Sequence, residues 1–385
     1  MAEQIRVIGP KNLLVIAVSF PDTSPGVTLD SVRDKAARLD RYVRAASYDQ
    51  AWLEPKVVGW YRLPGPLDEY KVSPYNFKVD RQRVRRLVAD AVDAARRDAV
   101  ASAYDVIGIV VGAQTRPGEG YGMIAYAANP GMLSGVLASR GKAARMELVT
   151  LPGGGAFTGA AIVSAENAHL GHVAHDLLHA LGGVKDGRRV VPDLYDFELQ
   201  SDPRVPHASP LPFAIHTGPW DIMSLHFIER GKPPPPPSSF TRLQLGWIRS
   251  EQAVTILPGE TRELSLQSLA RGQGTLVARL PISKSRYILL ENRQKLDGDA
   301  LLPSAGLVVL EVDTDKEEGS GIVRVADANP GTPHLFRAPF LPGAGERRYY
   351  DNRRDGIAVV PLAMEPNSAM RIVVTTPERA AEFLK

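Results

Sequence analysis

The 385-residue chain contains no cysteine. That absence removes disulfides, thiolate nucleophiles and Cys-ligated zinc together, so any metal site must be built from His, Asp or Glu. No apolar run reaches the roughly 18 residues that a membrane-spanning helix needs, and residues 1–10 are polar and too short for an export signal. The chain as written is expected to be soluble and off the membrane: secreted if it derives from a longer precursor, cytoplasmic otherwise. An excess of one charge is also missing. Forty-six Lys and Arg against 43 Asp and Glu leave a net charge of +3. The basic residues are scattered as pairs such as Arg85-Arg86, Arg188-Arg189 and Arg353-Arg354, with no concentrated stripe interleaved with aromatics, so nucleic acid is not an expected partner.

What is present is the composition of an ordinary globular protein, 44% apolar and 23% charged, in a length that accommodates two domains. Residues 11–20 form a short apolar run ended by Pro21-Asp22 and predict a buried strand. Residues 29–46 carry Val32, Ala36, Leu39 and Val43 at helical spacing, and residues 56–63 predict a second strand stopped by Pro64-Gly65-Pro66. Residues 80–101 predict a long amphipathic helix with Val84, Leu87, Val88, Ala91 and Ala95 on one face, and residues 105–111 a further strand. This alternation predicts a mixed sheet backed by helices. Residues 121–126 and 146–151 are weaker strand candidates. Gly153-Gly154-Gly155 lacks the Lys-Ser/Thr of a phosphate-binding loop and reads as a flexible loop. The run from Gly231 to Ser239, with five consecutive prolines, reads as an exposed stiff spacer. From about Gln252, short β-rich runs (262–266, 275–279, 286–291, 306–312, 356–361 and 370–375) alternate with turn residues, the pattern of an antiparallel sandwich-like domain. The expected architecture is α+β, with residues 1–250 as one domain and residues 251–385 as a C-terminal β-rich domain.

Four of the eight histidines fall between positions 169 and 179. A helix is expected from Ser164, as its cap, to Gly182-Gly183. On it His175 and His179 lie one turn apart, with side chains about 40° apart around the axis. That spacing presents two imidazoles to one zinc ion and is the frame of the His-Glu-x-x-His motif. The residue after the first histidine is Asp176, where that motif has Glu. His172 would crowd three donors along one line and is read as a supporting or surface residue. His216 and His226 flank Trp220-Asp221 and either line the site or are exposed.

The helix segment His175-Asp-Leu-Leu-His179-Ala-Leu-Gly182 is followed by Val191-Pro-Asp-Leu-Tyr-Asp196, Gly218-Pro-Trp-Asp-Ile-Met-Ser224 and Leu245-Gly246-Trp247. In order and content these segments resemble the immune inhibitor A family of secreted bacterial zinc metallopeptidases. The family's segments read His-Glu-Phe-Gly-His-x-Leu-Gly, Leu-Pro-Asp-Leu-Tyr-Asp, Gly-x-Trp-Asp-Leu-Met-Ser and Leu-Gly-Trp. Residues 46–48, 57–64, 287–293 and 303–313 are also similar, so the likeness runs over most of the chain.

The resemblance implies a zincin-type catalytic domain in which His175 and His179 bind zinc and Asp193, at the place of the family's aspartate, is the third ligand. Residues 183–190 are an insertion relative to the family's pattern, and they bring an alternative third ligand, Asp186. Met223 corresponds to the methionine that packs beneath the metal in related zincins. Asp176 takes the general base's position with one methylene fewer. Calcium is a further candidate at the carboxylate-rich turn of Asp193 and Asp196. The implied activity is that of a zinc-dependent endopeptidase acting on protein or peptide substrates, with Asp176 as base. The alternative is a zincin-fold protein without catalysis that serves as a binding or scaffolding module.

Overall fold

The computed structural model describes residues 6–70, 80–114, 149–157, 159–202, 204–205 and 209–384. The strand candidate at 121–126 and the first half of that at 146–151 lie outside them. Two compact units are distinguished: Met1–Pro192 with Pro203–Ser209, and Asp193–Asp202 with Pro210–Lys385. By compactness the stretch 210–250 goes with the β-rich unit, although its composition grouped it with the preceding residues.

The first unit runs β1 (Gly9–Ser19), α1 (Leu29–Ser47), β2 (Ala51–Arg62), α2 (Arg81–Ala95), β3 (Val106–Val111), the hairpin β4 (Val149–Thr150) and β5 (Ala156–Phe157), β6 (Ala160–Ala165), α3 (Leu170–Gly182) and the hairpin β7 (Val184–Lys185) and β8 (Arg188–Arg189). Four strands form one parallel sheet in the order β2-β1-β3-β6. Parallel neighbours cannot be joined by a tight turn, and the crossovers through α1 and α2 supply the necessary length. They also cover both faces, which is why Leu13 to Val18 are buried without alternation. Leu14, Ile16 and Val18 share one core with Ile107, Ile109 and Val111 of β3 and with Val84, Leu87, Val88 and Ala91 of α2. Strand side chains alternate, so Leu13, Val15 and Ala17 face the other way. Helix α1 packs on β1 and β2 and also touches α3.

Two local expectations change here. The helix expected over 80–101 is capped by Asp80 but ends at Ala95, where its apolar stripe gives way to Arg96-Arg97-Asp98, and a separate 3-10 turn covers Ala101–Ala103. Ser164 lies inside β6, because Ala160–Ala165 pairs with β3. It is not the cap of the histidine helix.

The second unit contains β9 (Ala253–Thr255), β10 (Arg262–Leu266), β11 (Val277–Pro281), β12 (Arg286–Arg293), β13 (Gly306–Asp313), β14 (Val323–Val325), β15 (Tyr350–Asn352), β16 (Ile357–Met364) and β17 (Met370–Thr375). They form two sheets, β14-β13-β12-β11-β9 and β10-β17-β16-β15. All pairs are antiparallel except β9 with β11. Leu280, Ile288, Leu290 and Val309 of one sheet and Leu266, Val359, Met370 and Ile372 of the other make one core, the arrangement of a sandwich. The protein is thus mixed α+β. Among the described residues no helix is long and apolar enough to cross a membrane.

The proline run is not an exposed spacer. Pro234 to Pro237 are buried, and the Pro237 carbonyl accepts the Arg242 Nε–H at 3.0 Å. Proline carries no N–H, so a run of them can enter an interior without leaving donors unsatisfied. The same unit holds a buried ion cluster. Arg293, fully excluded from solvent, donates to Asp299 at 2.7 and 3.0 Å, to Glu291 at 2.8 Å and to the Trp220 carbonyl at 3.0 Å. Desolvation works against its charge, but Asp299 and Glu291 outweigh it and hold the guanidinium's pKa above its usual value.

Candidate metal centre

Helix α3 begins at Leu170 because His169 caps it: the His169 Nδ1 accepts the Gly171 N–H at 3.0 Å. One of the four clustered histidines is thereby used for structure. His172 is half-buried, with its ring edge-on to that of His169 at 6.5 Å. The loop leading into the helix is fixed from α1, whose Lys35 Nζ donates to the carbonyls of Glu166 at 2.7 Å and Ala168 at 3.0 Å. The Glu166 carboxylate in turn accepts the Gly26 N–H at 2.9 Å. Burial pushes the Lys35 pKa down to about 8; Arg38 adds to the shift and Glu166 opposes it.

Further along α3, His175 and His179 are buried, at 5% and 1% exposure. Their Nε2 atoms face each other at 3.0 Å, with the rings nearly perpendicular. The His179 Nδ1 lies 2.6 Å from the Val191 carbonyl. A carbonyl can only accept, so Nδ1 carries a proton; in the neutral ring Nε2 then keeps its lone pair, the tautomer that a metal-binding imidazole needs. Two nitrogens bound tetrahedrally to one zinc at about 2.0–2.1 Å would lie about 3.3 Å apart, close to the observed separation. The pair therefore fits zinc. An oxygen of Asp176, itself buried, lies within 4.8 Å of a nitrogen of each histidine.

Helix α3 ends in glycine for a steric reason. A Cβ on Gly182 would stand 2.8 Å from Val191 Cγ2, so the bare glycine lets Val191 approach and place its carbonyl on His179. Gly183 follows as the C-cap, donating to the His179 carbonyl at 2.9 Å. The residues after Gly183 fold as the β7–β8 hairpin with Val184 opposite Arg189. Asp186 and Gly187, with φ of 50° and 73°, form its tip, and Asp-Gly suits such a turn because both positions need positive φ. Asp186 is exposed there, and the described donor groups able to hold a metal leave it out. The hairpin's last residue, Arg189, is 8% exposed, and its Nη1 lies 3.3 Å from the His179 Nε2.

In the second unit Asp193 is buried at 3% exposure, and its N–H donates to Glu318 at 2.8 Å. The Leu194 N–H donates to the Met223 carbonyl at 2.9 Å, so two of the segments quoted above are tied together by the backbone. Both Asp196 oxygens are used by the protein: Oδ1 accepts the Leu199 N–H at 2.8 Å, and Oδ2 lies 2.9 Å from the His216 Nε2. His216 is buried, and His226 packs against Tyr195 and Phe213. Neither is exposed. Burial holds the His216 pKa below its usual value, with Arg324 adding to the effect and Asp196 opposing it. Asp221 accepts from the Met223 N–H, from the Ser238 N–H and hydroxyl, and from the Thr241 hydroxyl at 2.5–2.9 Å. Met223 and the Ser238–Thr241 segment are thus tied together by this buried carboxylate.

Sequence reasoning missed Val191, Arg189 and Glu318. A backbone carbonyl leaves no trace in a side-chain motif, and Glu318 sits in the loop after β13, where no pattern marks it. Neither a protein-family model nor a curated protein matches the chain.

Proposed function

We propose that this protein is a zincin-type, zinc-dependent endopeptidase of the immune inhibitor A kind, with His175 and His179 as imidazole ligands and Asp176 as general base. The observation that carries this reading is the facing pair of buried Nε2 atoms, with the His179 tautomer set by the Val191 carbonyl. The third ligand follows from the motif alone and is Asp193. When bound, zinc would polarise the scissile carbonyl and bring the pKa of a bound water towards neutrality. The chain's own residues do the rest: the helix presents both imidazoles, the Val191 carbonyl orients that of His179, and Asp176 takes the proton of the attacking water and passes it to the leaving amine.

Zinc-loaded protein is expected to cleave an unstructured substrate such as casein, to stop when the metal is chelated, and to lose cleavage in Asp176→Ala. A specific observation also favours a second reading, a zinc-binding or metal-free binding module: Asp176 is a methylene shorter than the residue its role calls for. If loaded wild type cleaves no faster than Asp176→Ala, that second reading replaces the first.

A further inference from the structure

The hairpin that distinguishes this chain from the motif pattern delivers a cation to the histidine pair. Arg189 is paired across the hairpin with Val184, is almost excluded from solvent, and places Nη1 3.3 Å from the His179 Nε2. The His179 Nδ1 holds its proton against the Val191 carbonyl, so the interaction runs from the guanidinium N–H to the Nε2 lone pair. A metal at this pair needs that same lone pair. Guanidinium keeps its charge at any pH the protein meets, and a +1 and a +2 ion a few ångströms apart repel strongly where water is excluded.

We propose that Arg189 is a built-in competitor of the metal: its guanidinium occupies the His179 Nε2 in the metal-free protein and must swing away for a divalent ion to bind. The inserted hairpin then sets how tightly the site takes its metal. This inference rests on the reading of His175 and His179 as ligands. The geometry gives the same result for any divalent ion that prefers imidazole, with zinc as the natural probe.

The test is a zinc titration of the full-length protein against a chromophoric chelator, comparing wild type with Arg189→Met and Arg189→Gln. The first variant keeps the stem's volume and the second keeps polarity, so a folding defect in one leaves the other to read. Both are expected to bind zinc about tenfold or more tightly than wild type, because each removes a full charge from beside the ion. Arg189→Lys, which keeps the charge, is expected to stay close to wild type. Equal affinities in wild type, Met and Gln variants would overturn the competitor role while leaving the metal site standing. Tightening in Arg189→Lys as large as in Arg189→Met would overturn the charge argument. Absence of zinc binding in all four proteins would overturn both this inference and the metal reading beneath it.

Discussion

A carboxylate on aspartate stops at least about 1 Å short of one on glutamate, and a misplacement of that size costs about a hundredfold in rate when the group must move a proton. Asp176 is buried beside the two imidazoles, so its shortfall cannot be made up by a swing through solvent. Asp176→Glu is therefore expected to raise kcat/KM for peptide hydrolysis by one to two orders of magnitude; a fall would mean that the backbone of α3 has adapted to the shorter acid. The imidazole pair and this substitution are readable from residue spacing, because a helix turns a four-residue interval into a shared face. What orients the pair is not, since neither the Val191 carbonyl nor the Arg189 contact belongs to α3. Lys35 offers a test at the same scale. Burial pushes its folded pKa down to about 8 from the usual lysine value of 10.5, so between those values the unfolded chain binds more protons and stability rises with pH. Below about 8 both forms are protonated and this group contributes no slope. Once neutral, the amine still has N–H groups for both carbonyls that it holds. Urea midpoints measured at about pH 8, 9 and 10 should climb more steeply in wild type than in Lys35→Met, and parallel curves would contradict the assignment.

At the scale of elements, the ends of α3 carry the site more than its middle does. Gly182→Ala would drive a Cβ into Val191. Overpacking of this kind costs about 1–3 kcal/mol, and here it also displaces the carbonyl that sets the His179 tautomer. The variant should lower both the urea midpoint and zinc affinity, whereas a purely structural glycine would change only the first. The β7–β8 hairpin shows why a local signal can pass unseen. Lys185-Asp-Gly-Arg188 contains a strong turn dipeptide, but strands of two residues are too short to show alternation, so the segment reads as an insertion with an acid in it. Conversely, β10 and β17 match their expected bounds, residues 262–266 and 370–375, because each is a clean β-rich run between turn residues. The start of α3 differs from its expected place at Ser164 for a related reason. Ser164 is a good cap by type, but the apolar run around it is claimed by β6, and a histidine, rarely used for capping, does the work instead.

For the whole molecule, an α/β unit and a β-rich unit follow from the patterning of their longer helices and strands. The buried polar groups do not. Asp221 with Ser238 and Thr241, and Arg293 with the Trp220 carbonyl, join residues 17 to 73 positions apart, and charge on a strand such as that of Glu291 and Arg293 reads as surface until its partners are known. Removing one member of such a cluster strands the others, at about 3–5 kcal/mol for a buried ion pair. Arg293→Ala should therefore lower the unfolding free energy by that order in a denaturant titration, and a loss under about 1 kcal/mol would contradict the closed network. The functional account stands or falls on the imidazole pair. Calorimetric titration of metal-free protein with zinc tests it directly. The account predicts one zinc per chain in wild type and none in His175→Ala or His179→Ala. A wild type that binds no zinc, or alanine variants that bind it as the wild type does, would contradict it.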